Sequence, residues 1–475
     1  MRDRGGTEMQ GPPLCAALAL ALAACTQLPP ENDREATRLD LSQRLQADLP
    51  PSPSDLDPAC SSEVLALLQA PLTEDGAVRI ALLNNHGVRA AYERLGIHRA
   101  DLVQAGLLRN PIFDGDARFL FDGGTELELG LAQSFLDLFY RPLRERLAEH
   151  EFAKAKLLVT GELVHLVFTA RRAIVNLLAA QQLVALQQQA LSAAVAAHEL
   201  TLELHAAGNT TDQALAAARV GESAARLDLA EAEQAAAEAR EPLQQLLGLW
   251  GAATTWTIAG TLGEDPLAGV DLEHVEARAV AASLVLGAQR EAADSAAQSA
   301  GLESWRGWLP DGSIGLSALR EPGGDWGLGP HLALELPLFD HGTGRQAKAD
   351  ATLRETLHQH VQQAVEVRSR ARLLRDRLVL LADRLRFSRE IHRPLRADVV
   401  RTTLQHYNAM QIGAFDVLRE QQRQLADDRE RTVLLYHAHL ARLDLLELLA
   451  GGLPRHAAPP IMVVTRDTST VTEGH

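Results

Sequence analysis

One pattern occurs twice in this 475-residue chain and constrains the fold more than any single motif. Each copy begins with alternating apolar and polar residues and continues into a very long helical pattern. Pro111 and Pro310 stand 199 positions apart near the start of the copies. His205 and Tyr407 stand 202 positions apart further along. We therefore predict an internally duplicated α+β chain whose unit, two strands and a long helical hairpin, suits part of a tube better than an enzyme core.

Composition narrows the function classes. Apolar residues make up 46% of the chain and aromatic residues only 4%, with much alanine among the apolar ones. Alanine favours helices. The net charge of −16 disfavours nucleic acid as a partner, because phosphate binding needs clustered Lys and Arg. No continuous apolar run reaches the roughly 18–20 residues of a membrane-spanning helix, so the chain is soluble or enters a membrane as strands.

The N-terminus is predicted to be a signal peptide, residues 1–24. Its apolar run, 14–24, ends in Leu-Ala-Ala directly before Cys25, and a short apolar run before small residues is typical of secretion signals. This ending resembles the lipobox of bacterial lipoproteins, which implies that Cys25 is acylated. Thr26 then permits sorting to the outer membrane. An ordinary signal peptide followed by a chance cysteine is the alternative.

The mature chain divides by composition and periodicity. We predict an N-terminal tether rich in Pro, Asp and Ser, a first repeat, an irregular linker, a second repeat and a disordered tail. Their ranges are 25–75, 76–250, 251–275, 276–452 and 453–475. Each repeat is expected to contain a helix, two strands and a long helical hairpin.

Two segments in each copy have the period-two pattern of strands. They are 113–121 and 127–131 in the first copy and 314–318 and 326–336 in the second. Such alternation gives a strand one apolar and one polar face. The segments approach the roughly ten residues of strands that cross a bilayer at a tilt, and many of the few aromatic residues lie in or beside them. A soluble sandwich has the same alternation and is the alternative.

Four strands cannot close a barrel by themselves. An open sheet edge cannot lie in lipid, because each unpaired N–H or C=O group there costs several kcal/mol. If the strands are in a membrane, other copies of the chain must complete the barrel. Oligomerisation is therefore a consequence of the membrane interpretation.

Each hairpin is predicted from a long helical run and a break. The first helix extends over 143–207, and Gly208 ends it before Thr211 or Asp212 caps the returning helix. The second extends over 343–407, with a kink at Pro394. Helices of this length are typical of coiled-coil struts and exceed what a compact domain accommodates.

Several short sequence segments in the two copies resemble those of a known family. They are Ala81-Leu82-Leu83-Asn84-Asn85, Gln104-Ala105, Asn110-Pro111, Pro337-Leu338-Phe339-Asp340-His341-Gly342, Tyr407 and Asp416-Val417-Leu418. With the duplication, they resemble the TolC-type outer-membrane efflux proteins, and more closely their lipoprotein branch. The resemblance covers about residues 75–450.

The resemblance implies an architecture and partners. It implies a homotrimer with a 12-stranded β-barrel, four strands per protomer, in the outer membrane. A long α-helical coiled-coil barrel continues this barrel through the periplasm. The implied partners are outer-membrane lipid, a periplasmic adaptor (membrane fusion) protein and an inner-membrane pump of the RND type. It implies no cofactor apart from the lipid anchor on Cys25.

The same resemblance implies a gate at the periplasmic tip of the helical barrel. The residues it assigns to the gate and tip are Gly208, Asp212, Tyr407, Gly413 and Asp416. Asp416 would form a three-fold ring of carboxylates. Ile412 and Arg419 stand where some relatives have Arg and Asp, and Met410 replaces the usual Gly of the second turn.

Motifs for nucleotide binding, metal binding and catalysis are weak or missing in the sequence. The G-x-G-x-x-A phrase that begins at Gly342 matches a dinucleotide fingerprint, but its strand alternates and no βαβ unit follows. We expect it to be a flexible corner between barrel and helix. His358 and His360 are two apart on a helix and do not share a face, so no metal site is predicted. No spacing indicates a catalytic group.

The function predicted from the sequence is a passive exit duct for solutes driven by an inner-membrane pump. Two alternatives remain open at this point. One is the outer-membrane channel of a type I protein-secretion system. The other is a soluble periplasmic coiled-coil scaffold with a small sandwich. The sequence does not distinguish a drug, a metal cation or a protein as cargo.

Overall fold

The computed structural model describes residues 32–51, 62–121, 123–308 and 311–454. The predicted signal peptide, Cys25 and the tail beyond residue 454 lie outside the described residues.

Within the described residues, four helices precede the first strand. They are α1 (Asn32–Leu45), α2 (Ser62–Gln69), α3 (Glu74–Asn84) and α4 (His86–Ala105). The prediction of an extended tether over 25–75 is wrong for α1 and α2. Leu41 and Val64 are each 1% exposed, so both helices bury an apolar side chain against the rest of the fold. The Pro- and Asp-rich composition concealed this short amphipathic pattern.

Asn85 divides the single helix expected near 77–108 into α3 and α4. Its backbone is extended, and its side chain accepts a hydrogen bond from the amide of Gly87, which caps the new helix. Next to it, the Asn84 amide donates to the carbonyls of Leu247 at 2.9 Å and Gly248 at 2.8 Å. Asn84 thus ends α3 and holds the residues at the C-terminal end of the first hairpin, and Asn85 begins α4.

Four strands form one antiparallel sheet in the order β1-β2-β3-β4. The strands are β1 (Ile112–Phe119), β2 (Thr125–Ser134), β3 (Gly312–Arg320) and β4 (Trp326–Leu334). The four predicted strands are therefore present. β2 and β3 lie nearly two hundred residues apart in the chain and pair directly, so the two halves share one sheet.

The first hairpin consists of α5 (Asp137–Ala206) and α6 (Asp212–Leu247). With 70 residues, α5 is about 105 Å long at 1.5 Å per residue. It begins earlier than predicted, because the buried carboxylate of Asp137 is held by the Arg109 amide at 2.8 Å and the Arg144 guanidinium at 2.6 Å. Burial opposes ionisation of Asp137, but these two donors outweigh it and hold its pKa below the usual value.

The second half repeats this order of elements with an interruption. A 3₁₀ turn (Gly251–Thr254) lies in the linker, followed by α7 (Val275–Ala282) and α8 (Leu284–Trp308). After the strands come α9 (Thr343–Phe387), a π-helical turn (Ser388–His392), α10 (Arg393–Asn408) and α11 (Ala414–Leu449). The duplication itself stays an inference from the sequence.

The predicted break at Pro394 is a π-helical turn. Proline has no N–H to donate to the carbonyl four residues earlier. The amide of Arg393 donates to the carbonyl of Ser388, five residues earlier, which widens the turn directly before the proline.

The core lies where the two hairpins pack side by side. α5 packs on α6, α8, α11 and α4, and one core cluster joins Val164 and Phe168 of α5 to Tyr436 of α11. One window of α5 is apolar enough to span a membrane, but 56% of it is buried inside the fold. Its hydropathy is therefore that of a core helix. The carboxylate of Glu447, fully buried in this core, is paired with Arg172 and His165.

Candidate functional site

The strand register places most apolar residues of the four strands on one face of the sheet, although Ile112 and Leu319 lie on the other face and Arg320 lies on the apolar one. Residues that pair across adjacent antiparallel strands share a face. The pairing therefore aligns one apolar set across the sheet. This set contains Phe113, Ala117, Phe119, Leu127, Leu129, Leu131, Ile314, Leu316, Ala318, Leu328, Pro330, Leu332 and Leu334.

The opposite face is polar and acidic. Its titratable side chains are Asp114, Asp116, Arg118, Glu126, Glu128 and His331, and serines and glycines fill much of the rest. Four carboxylates face one guanidinium. This excess of negative charge attracts cations to the polar face.

Neither face of the sheet is covered by another element among the described residues. All eight residues of β1 are exposed, and on β4 Leu328 and Leu332 are 76% and 63% exposed. On β3, Ile314 and Leu316 are 56% and 55% exposed. Both outer strands, β1 and β4, also have one edge without a strand partner in the described chain. A contiguous apolar patch of this kind marks a surface that another phase or another chain covers.

A corner between β4 and α9 lies where the motif at Gly342 predicts it, but contacts hold it tightly, whereas a flexible corner was expected. This glycine has φ +72° and is the N-cap of α9. The Asp340 carboxylate accepts from the Gly342 amide at 2.8 Å and from the Arg345 guanidinium at 2.5 Å. The amide and then the arginine lower the pKa of Asp340. A Cβ added to Gly307 would lie 2.6 Å from the carbonyl oxygen of His341, so α8 and this corner approach closely.

The first hairpin tip turns as the sequence predicts. Gly208 has φ +73°, the left-handed conformation that glycine adopts without strain. Thr211, and not Asp212, is the N-cap of α6, and its hydroxyl accepts from the Ala214 amide at 3.2 Å. Asp212 instead pairs across the turn with His205, whose Nε2 lies 2.6 Å from the carboxylate.

The second hairpin tip is closed by different groups. Met410 has φ +57° and is 95% exposed, and it stands 202 positions after Gly208. The Asp416 carboxylate accepts from the Gly413 amide at 3.2 Å, which caps α11. Arg419 lies 3.4 Å from the other oxygen of Asp416. The Asp416 carboxylate is therefore engaged within its own helix turn.

A groove runs beside the second tip, between α10 and α11. Its cavity is about 580 Å³, and its lining includes Leu395, Thr402, His406, Ile412 and Asp416. Tyr407 is 43% exposed, and its carbonyl accepts from the Met410 amide at 2.9 Å. The five residues predicted for the gate thus form two groups: Gly208 and Asp212 at one tip, and Tyr407, Gly413 and Asp416 at the other.

Two sets of contacts across the hairpins could not be predicted from the sequence. In the first hairpin, His198 Nδ1 lies 2.5 Å from the carboxylate of Glu222. In the second, the Arg396 guanidinium lies 2.6 Å from Asp427 and 3.3 Å from Glu420. The sequence contains little to predict these pairs. Residues 24 or 31 positions apart meet across two antiparallel helices only if the turn between the helices has one exact length.

Comparisons with known proteins agree with this architecture. No protein-family model matches the chain, and no curated protein matches it in sequence. Solved structures do match. The transmembrane channel protein CusC is 18% identical with a TM-score of 0.65, over 80% of this chain and 92% of CusC. The outer membrane protein VceC of Vibrio cholerae is 16% identical with a TM-score of 0.65, over 80% of this chain and 97% of VceC.

A third match is the outer membrane channel CmeC of Campylobacter jejuni. It is 15% identical with a TM-score of 0.63, over 80% of this chain and 86% of CmeC. The resemblance to TolC-type outer-membrane proteins is therefore confirmed for the fold: this chain has the fold of these channels. Identity at this level supports the fold and carries no residue role.

Proposed function

We propose that this protein is the outer-membrane exit duct of a tripartite efflux system. In this proposal the duct is a passive homotrimer, without catalysis, for solutes driven by an inner-membrane pump. The observation that carries it is the sheet, which has one apolar face and one acidic face, both uncovered. A soluble scaffold needs something to cover the apolar face, and the described chain offers no such layer.

Lipid on the apolar face and water on the acidic face satisfy both surfaces. The free edges of β1 and β4 must then be paired, because unpaired backbone groups are costly in lipid. Pairing β1 of one protomer with β4 of the next forms a head-to-tail ring. Three copies of a four-stranded sheet close a 12-stranded barrel, with the helical hairpins continuing it as a coiled-coil barrel in the periplasm.

The remaining parts of the proposal follow from this placement. Acylated Cys25 would anchor the chain in the outer membrane. The hairpin tips, which lie at the far end of helices about 100 Å long, would contact a periplasmic adaptor and through it an inner-membrane pump of the RND type. The acidic strand face would line the lumen and favour cations. The tip carboxylate of Asp416, repeated three-fold, would narrow the aperture.

Detergent dependence and conductance test the proposal. We expect the full-length protein to leave the membrane only with detergent, to have the mass of a trimer by native mass spectrometry, and to form cation-selective channels in planar bilayers. Neutralising the acidic face with Asp116→Asn and Glu128→Gln should reduce the cation preference. Ser317→Asn, on the same face and uncharged, is the matched control. A folded monomer in detergent-free buffer would overturn the proposal.

A further inference from the structure

A cluster of three metal-ligating side chains lies outside the sheet and the tips. His150 is on α5, and Glu291 and Asp294 are on α8, one helical turn apart. His150 Nδ1 lies 2.8 Å from Glu291 Oε2. One ligand atom from each of the three residues lies within 4.8 Å of the others. No metal site was expected from the sequence, and His150 and Glu291 are 141 residues apart, so only helix packing joins them.

We propose that His150, Glu291 and Asp294 form a binding site for a divalent transition-metal ion of the Zn²⁺ class. One imidazole nitrogen and two carboxylates are a ligand set that Zn²⁺ accepts in open sites, with water at the fourth position. The nitrogen disfavours Mg²⁺ and Ca²⁺, which take oxygen ligands. The absence of sulfur from this set disfavours Cu⁺.

The geometry needs little adjustment to hold such an ion. Ligand atoms about 2.0–2.2 Å from one Zn²⁺ are separated from each other by about 3–3.5 Å. The His150–Glu291 pair is already near this spacing at 2.8 Å. Asp294 is exposed, so its side chain is free to rotate inward by the remaining distance. His150 and Glu291 are partly buried, at 31% and 27% exposure, which limits the motion of two of the three ligands.

The ammonium one helical turn after His150 is paired with a carboxylate outside the cluster. Lys154, one turn from His150, lies 3.2 Å from the carboxylate of Glu151. The other oxygen of Glu151 accepts from the Ser295 hydroxyl at 2.8 Å. Glu151 therefore neutralises the nearby ammonium and is itself engaged, which leaves Glu291 and Asp294 to bind an ion.

Binding would join the two halves of the chain. α5 leaves strand β2 and α8 leads into strand β3, so an ion between them links the helices that meet the central strand pair. We therefore expect bound metal to stabilise the region where the sheet meets the helices. This inference stands apart from the proposed duct, because the three ligands belong to one chain.

The test uses the full-length protein without a histidine tag, purified in detergent and stripped with EDTA. Zn²⁺ is titrated by isothermal titration calorimetry, and Co²⁺ serves as a spectroscopic probe through its visible d–d absorption. We expect one saturable site per protomer, a tetrahedral Co²⁺ spectrum and an increase in Tm on adding Zn²⁺. His150→Ala, Glu291→Gln and Asp294→Asn should each weaken Zn²⁺ binding by more than about tenfold, since each removes one of only three ligands.

Glu291→Gln has the same shape and retains an acceptor for His150, so it separates loss of the ligand from loss of the fold. His358→Ala, an exposed histidine on α9, is the matched control and should bind as the wild type does. Absence of saturable Zn²⁺ binding, or unchanged affinity in all three variants, would overturn the site. Either result leaves the channel recordings, and so the proposed duct, unaffected.

Discussion

The two hairpins have the same order of elements and are held by different side chains. Across the first hairpin, the ion pairs within the described residues are His198–Glu222 and His205–Asp212. Across the second, Arg396 contacts both Glu420 and Asp427, and His392 lies 3.9 Å from Asp427. The comparison teaches that a guanidinium, with several donors in a fixed fork, bridges two carboxylates, whereas each imidazole of the first hairpin contacts one.

The helices of the two hairpins also differ in continuity. α5 runs as one α-helix over 70 residues, and eighteen of its residues are buried. The corresponding run in the second half is interrupted by the π-helical turn before Pro394, and α10 beyond that turn has no buried residue. A helix with little burial depends more on its side-chain pairs. The Arg396 contacts therefore matter more to the second hairpin than the histidine pairs matter to the first.

The largest effect is expected from Arg396→Ala. It removes the guanidinium that bridges Glu420, at 14% exposure, and Asp427, at 26% exposure. Glu420 keeps its contact with Arg423, and Asp427 keeps His392 at 3.9 Å. We therefore expect a local loss of about 1.5 kcal/mol, the lower end of the value of a hydrogen bond to a charged group. Amide hydrogen exchange over 393–427 should accelerate accordingly, while exchange over 198–222 stays unchanged. Equal acceleration in both hairpins would contradict the contrast.

Next in size is the effect of Asp416→Ala on the channel. If three copies of this carboxylate narrow the aperture, removing them should raise single-channel conductance and weaken block by divalent cations. Planar-bilayer recordings measure both quantities. Asp376→Ala, which removes an exposed carboxylate from α9 away from both tips, is the matched control and should leave the conductance unchanged. Unchanged conductance in the Asp416 variant rejects its role in the gate.

Substitutions at the two turn residues, Gly208 and Met410, test the effect of a positive φ at each tip. Met410 holds φ +57°, which costs a non-glycine residue roughly 1–2 kcal/mol, so Met410→Gly should stabilise the second tip by about 1 kcal/mol. Gly208→Ala should destabilise the first tip by a similar amount, about 1 kcal/mol, for the same reason. Hydrogen exchange at the amides of 203–212 and 405–414 measures both. Changes of the same sign at the two tips would contradict this account.

The smallest expected effect is a pH response in the first hairpin. The hydrogen bond from His198 lowers the pKa of Glu222, so that carboxylate contributes stability above its ordinary pKa of about 4.5 and loses it on further acidification. This contribution is therefore fully present above about pH 4.5 and is lost as the pH falls below it.

Hydrogen exchange over 198–222, corrected for the intrinsic rate, should accelerate as the pH falls from about 5 to about 3. His198→Ala removes the first cause of the lowered Glu222 pKa and should reduce this change. A pH response of equal size in the His198 variant would show that this pair is not its source.

Much of the fold could be predicted from local sequence. The alternation in 113–121 and 314–318, the break at Gly208 and the proline at position 394 each act within a few residues, so the strands, the turn and the interrupted helix lie where expected. The site could be predicted less well. Asp212 was offered as a cap but pairs with His205, and the bridging role of Arg396 was not foreseen.

The sequence by itself determined the strands, the first hairpin turn and the helix break at Pro394, because periodicity, proline and turn residues act through neighbouring backbone. Only the tertiary structure decided which residues meet across large separations. The pairing of β2 with β3 aligned the apolar residues on one uncovered face, and the packing of α5 on α8 brought His150 to Glu291. Such contacts depend on the register between elements, and a shift of one residue moves a side chain to the other face.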